Sequence, residues 1–152
     1  MNLQEELKAL KERIAELEEL VKEEQEFPKD GDDYWYIGKI GTGCWGVWED
    51  SSVDKHLKSI GNIFQTEEKV EFALEKLKVE AELRKFSRPF KHGRYDYYLF
   101  FDIESDCLDA HFTSYCPIQG AIYFESEEKV QQAIKSVGED RIKKYIFEVG
   151  EY

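Results

Sequence analysis

The chain has 152 residues, 33 of them acidic and 21 lysine or arginine, for a formal charge of −12. Its length and its 14% aromatic content exclude a wholly disordered protein and leave room for one hydrophobic core with an appendage. The charge disfavours bulk binding of nucleic acid, no run approaches the ~20 apolar residues that span a bilayer, no apolar signal core opens the chain, and three cysteines without tight spacing fit a reducing compartment. A cytoplasmic protein with no membrane partner is expected.

The first 26 residues read as an oligomerising coiled-coil helix. Leu3, Leu10 and Leu17 fall at d, and Leu7, Ile14 and Val21 fall at a, of a heptad repeat. Leucine at d with β-branched residues at two of the a positions favours a parallel dimer. Glu6 at g then faces Lys11 at e of a second copy, and Arg13 at g faces Glu18 at e. Such surface pairs contribute only ~0.2–1 kcal/mol each, so they select register more than they hold the chains. Packing of this seam on its own chain is the alternative. Pro28 and Gly31 end the helix, and residues 27–33 read as a linker.

Residues 34–152 read as an α+β domain with an antiparallel sheet. Tyr34-Trp35-Tyr36-Ile37 and Tyr95–Phe101 are aromatic strands, and Cys44–Trp48 is a return strand. A further strand is expected around Ala110–Tyr115, and a final edge strand over Tyr145–Val149. Two segments, 61–86 and 121–138, read as a duplicated strand-helix element. FQTEEKVEFAL at 64–74 and FESEEKVQQAI at 124–134 match at an offset of 60. Thr66 and Ser126 are the expected N-caps, with Glu67, Glu68, Glu127 and Glu128 in the first turns, where carboxylates favour the helix dipole.

The first repeat helix carries two apolar stripes. Val70, Leu74, Leu77 and Ala81 form one, suited to packing on a sheet. Phe72, Val79, Leu83 and Phe86 form the other, a secondary interaction face that needs the last helix, the N-terminal helix or another subunit.

The run Gly61-Asn62-Ile63-Phe64-Gln65-Thr66-Glu67-Glu68, with Leu77-Lys78-Val79 and Ala81-Glu82-Leu83 after it and the aromatic strands before it, resembles small proteins of bacteriophages and prophages of Gram-positive bacteria. Ile122-Tyr123-Phe124, Ser126-Glu127-Glu128 and Gly138–Tyr145 extend the resemblance over most of residues 34–147. It implies a virus-derived accessory protein acting in the host cytoplasm, during replication or against a defence system. It supplies no catalytic residues.

Candidate chemistry is sparse, and no cofactor is expected. The glycines of GKIGTGCWG at 38–46 lack the Gly-Lys-Ser/Thr ending of a phosphate loop and read as a hairpin turn. Asp102, Glu104, Asp106, Asp109 and His111 are a weak cation candidate without the spacing or central glycine of a calcium loop. Cys107, His111 and Cys116, with Cys44 as a fourth ligand, are a weak zinc candidate. The same region is the site of a small metal-dependent enzyme in the enzymatic alternative. Arg84, Lys85, Arg88, Lys91, His92 and Arg94 surround Phe86, Pro89 and Phe90, a patch for an acidic partner or for nucleic acid in a second alternative. The favoured reading is a non-enzymatic, homo-oligomeric acidic interaction protein that binds a host protein. Its sharpest form is an inhibitor that mimics nucleic acid, with carboxylates where phosphates would lie.

Overall fold

A computed structural model describes residues 2–150. The element order is α1 (Leu3–Gln25), β1 (Asp33–Ile37), β2 (Gly43–Val47), α2 (Ser52–Ser59), α3 (Glu67–Arg84), β3 (Asp96–Asp102), β4 (Cys107–Thr113), β5 (Tyr123–Phe124), α4 (Glu127–Val137) and α5 (Glu139–Tyr145). The fold is mixed α+β, with an N-terminal helix and two small antiparallel sheets. The chain divides into two compact units inside α3, the first ending at Val70 and the second beginning at Glu71.

Helix α1 is opened by a capping box. Asn2 Oδ1 accepts from Glu5 N at 2.9 Å, and Glu5 Oε2 accepts from Asn2 N at 3.3 Å. Residues 27–33 are not a slack linker. Gly31 N donates to Trp48 O, Trp48 N donates to Asp32 O, and Lys29 N donates to the Asp32 carboxylate, which ties the segment to the end of β2.

In the first unit, β1 and β2 form a hairpin closed by Gly38–Thr42, where Gly38 N donates to Thr42 O at 2.8 Å and Gly41 takes φ +72°. The glycine run is therefore a turn. Gly46 lies under the Tyr34 ring, where an added Cβ would sit 3.3 Å from ring atoms. Helix α2 was absent from the sequence expectation. Ser51 and Asp54 form its capping box, and Asp54 also accepts from Glu49 N and from the Tyr34 hydroxyl at 2.6 Å.

The segment that follows α2 shows what Gly61-Asn62-Ile63-Phe64 does. Gly61, at φ +73°, ends α2 in a Schellman turn, with Gly61 N on Lys58 O and Asn62 N on Leu57 O. The Asn62 carboxamide accepts from Ile37 N at 2.7 Å and donates to Ile37 O at 3.0 Å, standing in for strand backbone. Phe64 exchanges two 2.8 Å backbone bonds with Trp35. Thr66 then accepts from Lys69 N at the start of α3.

In the second unit the strand order is β4-β3-β5. β5 pairs Phe124 with Tyr97 and Tyr123 with Tyr98, and Ser126 caps α4 by accepting from Lys129 N. The core is Val79, Leu83, Phe124, Val130, Ala133, Val137 and Ile142, with Leu99, Leu108 and Ala110 of the sheet packed on it. Tyr145–Val149 is not a strand. α5 runs to Tyr145, and Ile146 and Phe147 turn onto the core instead.

The second stripe of α3 is corrected. Val79 and Leu83 are fully buried, Phe86 packs on the same core, and Phe72 meets Tyr145 of α5 with ring centroids 5.0 Å apart. This face is interior to the second unit and is not open to another subunit. Leu77, on the other stripe, is 52% exposed. Leu83→Ala should therefore cost about 2–5 kcal/mol, and Leu77→Ala under about 0.5 kcal/mol, as read from urea unfolding midpoints.

Candidate functional site

The sequence candidates of the second unit fall on two ends of one sheet face. Side chains alternate along a strand. Tyr97, Leu99, Leu108 and Ala110 point to the core. Tyr98, Phe100, Asp102, Cys107, Asp109 and His111 therefore share the opposite face, with Tyr98 across from His111, Phe100 from Asp109, and Asp102 from Cys107.

One end of this face is closed by the basic segment. Asp96 is fully buried. Its carboxylate accepts from Arg88 Nε at 2.8 Å, from Arg94 Nε at 3.2 Å and from Lys91 N at 3.0 Å. A second nitrogen of each guanidinium also turns inward, Arg88 Nη2 to Tyr95 O and Arg94 Nη2 to Pro89 O. Burial works against ionisation of Asp96, but the Lys91 N–H and the two guanidinium groups outweigh it, so the carboxyl titrates below its usual range. Phe90 packs on Tyr123, with centroids 5.2 Å apart, and Phe86 faces the core.

The patch proposed over Arg84, Lys85, Arg88, Lys91 and Arg94 is thus not one open cationic surface. Arg88 and Arg94 neutralise Asp96, while Arg84, Lys85 and Lys91 are exposed.

The metal and enzyme candidates are not gathered. Among the described residues no group of three or more His, Cys, Asp or Glu side chains is placed to hold a metal ion. Asp102 and Cys107 are cross-strand neighbours. His111 lies four positions along β4 from Cys107, roughly 13 Å away. It stacks on Phe100 at 4.1 Å between centroids and 20° between planes. Asp106 pairs with Lys143 at 3.3 Å. Cys116 N donates to Thr113 Oγ1 beyond the end of β4, and Cys44 belongs to β2 of the first unit.

What remains open is an aromatic ridge. Tyr123, Tyr98, His111 and Phe100 follow one another with centroid separations of 6.5, 6.1 and 4.1 Å. Tyr123 is buried and Tyr98 half-buried, whereas His111 is exposed and Phe100 is 37% exposed. Asp102 and Asp109 flank the exposed end. Among the described residues their bonding partners are backbone N–H groups, those of Glu104 and Ala110. Sequence reasoning read the run YDYYLFF only as a strand. The period-2 split of DYYLFFD against CLDAHFT carried the signal for this face.

The other candidate surface is α1. Leu3, Leu7, Leu10, Ile14, Leu17 and Val21 are all between 45% and 83% exposed. Leu20, at a flanking g position, is exposed as well and broadens the stripe. Within the first unit, then, this seam is not packed against the strands or α2. Comparison with protein-family models, with curated proteins and with solved structures finds no match to the chain. No helix among the described residues is long and apolar enough to cross a membrane.

A carboxyl with its pKa lowered by folding stabilises the protein above its unfolded value and loses that contribution as pH falls through its folded value. Asp96 belongs to this class. So does Asp54, held at about 2 against a usual 3.8, chiefly by the Tyr34 hydroxyl and then by Glu49 N–H. Tyr34 in turn is pushed up to about 12, first by burial and then by Asp54. Stability should fall between about pH 4 and 2. Asp96→Asn should remove part of that slope and cost about 3 kcal/mol at neutral pH, because two partly buried arginines lose their counter-ion. Urea unfolding across this pH range checks both.

Proposed function

We propose that this chain is a non-enzymatic, homo-oligomeric binding protein in which α1 joins two copies as a parallel coiled coil and the acidic α+β units engage a protein partner. The observation that carries the reading is the heptad seam of α1, exposed along its whole length in the single chain. A 23-residue helix with its leucines in water is marginal alone. A second copy supplies an identical seam, and Glu6–Lys11 and Arg13–Glu18 become attractive contacts between the two. In the single chain Arg13 is bound only to Glu16 among the described residues, in an exposed pair at 3.0 Å, so it is available for exchange.

The finer fold reading is a duplicated strand-helix element, residues 61–86 and 121–138. Both sheets have a central strand, β1 or β3, flanked by its hairpin mate on one side and by a short pairing on the other. That pairing is Phe64 on Trp35 in the first unit and Phe124 on Tyr97 in the second, and each leads through a Thr or Ser cap into a helix. These parallels support duplication.

The sequence resemblance extends the proposal to an accessory protein of phage or prophage origin in the host cytoplasm. Its sharpest form, a nucleic-acid-mimicking inhibitor, is supported by the −12 charge and is tested by salt-sensitive competition with duplex DNA for a host nuclease. Loss of Arg88 and Arg94 to Asp96 weighs against the nucleic-acid-binding alternative.

Light scattering tests the assembly. The intact chain should run at twice its 18.0 kDa mass, and a chain lacking residues 1–26, or carrying Leu10→Glu with Leu17→Glu, should run as a monomer. An intact chain at monomer mass over micromolar concentrations overturns the reading.

A further inference from the structure

The exposed end of the β3–β4 face has a chemistry that selects its occupant. We propose that it binds an arginine side chain of a basic, extended peptide segment, with the guanidinium stacked on the Phe100–His111 pair and held by Asp109 and Asp102. This deepens the reading of the chain as a binding protein by naming the chemistry of its partner.

Three observations converge. The first is an exposed π stack. Phe100 and His111 lie face to face, 20° apart with centroids 4.1 Å apart, so a planar group can stack on an outer face of the pair, on the side of the sheet opposite the core. The second is charge. Asp109 sits directly across from Phe100, Asp102 is the next residue on that face of β3, and Glu104 lies in the adjoining turn. The carboxylates of Asp102 and Asp109 meet only backbone N–H groups among the described residues, so they are free to take a cation. The third is the opposite end of the ridge, where Arg88 and Arg94 are already paired with Asp96, which neutralises part of the charge a polyanion would need.

A guanidinium suits this arrangement better than an ammonium. It is planar, stacks on aromatic faces and is weakly hydrated, while its edge donors remain free to reach carboxylates in the plane. A nucleobase would find the same stacking surface, but its phosphates would approach Asp102, Glu104 and Asp109. That repulsion favours the peptide.

The test uses the full chain and a nonapeptide with three spaced arginines, alongside its citrulline and lysine counterparts and a nine-residue oligouridylate. Binding is read by fluorescence anisotropy at low and moderate salt. The arginine peptide should bind, and the citrulline peptide should bind at least about tenfold more weakly. Phe100→Leu, which keeps an apolar side chain but removes the ring, should weaken the arginine peptide about tenfold. Asp109→Asn should weaken it several-fold and flatten its salt dependence. Urea midpoints of both variants confirm that they fold.

No binding at millimolar peptide, equal binding of the citrulline peptide, or indifference to Phe100→Leu overturns the inference. Tighter binding of oligouridylate, lost in Phe100→Leu, overturns it in favour of a base-stacking surface. The mass of each sample separates this from the α1 proposal. A dimer without peptide binding removes only the arginine site, and a monomer that binds removes only the coiled coil.

Discussion

The six seam side chains of α1, with Leu20 beside them, face water in the single chain. Full burial of one such side chain contributes about 1.5–3 kcal/mol. Even at half that value, a shared seam outweighs the ~0.2–1 kcal/mol of each flanking ion pair. In the proposed dimer, hydrophobic burial therefore drives association and charge chooses its register. The capping box at Asn2 and Glu5 fixes where the helix begins and so where the first heptad lies. Tethering of residues 27–33 to the end of β2 then fixes how the helix leaves the first unit.

Each unit also hides one carboxylate beside its central strand, by different means. In the first, α2 delivers Asp54 to Tyr34 of β1, and backbone N–H groups at the start of α2 complete its partners. In the second, the carboxylate belongs to the strand itself, as Asp96, and the loop after α3 folds over it with two arginines. Tyr34 and Asp96 both precede the residue that pairs with the short third segment, Trp35 or Tyr97. A hydroxyl in one unit and a charge in the other thus occupy comparable places. The consequence for function is direct, since two arginines of the most basic stretch are committed to a buried carboxylate of the same unit.

Much of the fold was legible because it is written in local chemistry. Helix α1, the caps Thr66 and Ser126, the aromatic strands and the glycine turn at 38–42 each depend on residues close in sequence. Helix α2 was legible in principle, since Ser51 and Asp54 stand at capping-box spacing, but its eight residues offer little apolar periodicity. The two stripes of α3 were read as stripes, and the last helix was only one of three covers offered for the second. Periodicity reports that a face is apolar and does not report which element covers it, and α4 and α5 cover Val79 and Leu83. The basic run failed as a site for a similar reason. Charge along the chain does not show that Asp96, two residues beyond Arg94, is buried beneath it. The ridge of Tyr98, Phe100 and His111 needed the register of β3 on β4, which only the paired strands supply.

The most direct test of the central claim is chemical cross-linking at the seam. Leu10→Cys places one thiol at a d position, where a parallel, in-register pair brings the two copies within the ~4.4–6.8 Å Cα separation that a disulfide needs. With Cys44, Cys107 and Cys116 replaced by serine, mild oxidation should convert the chain to a covalent dimer, and the same thiol moved to Glu12 on the outer face should not react. A Leu10→Cys chain that stays monomeric on oxidation, or that cross-links no faster than Glu12→Cys, would contradict the parallel coiled coil.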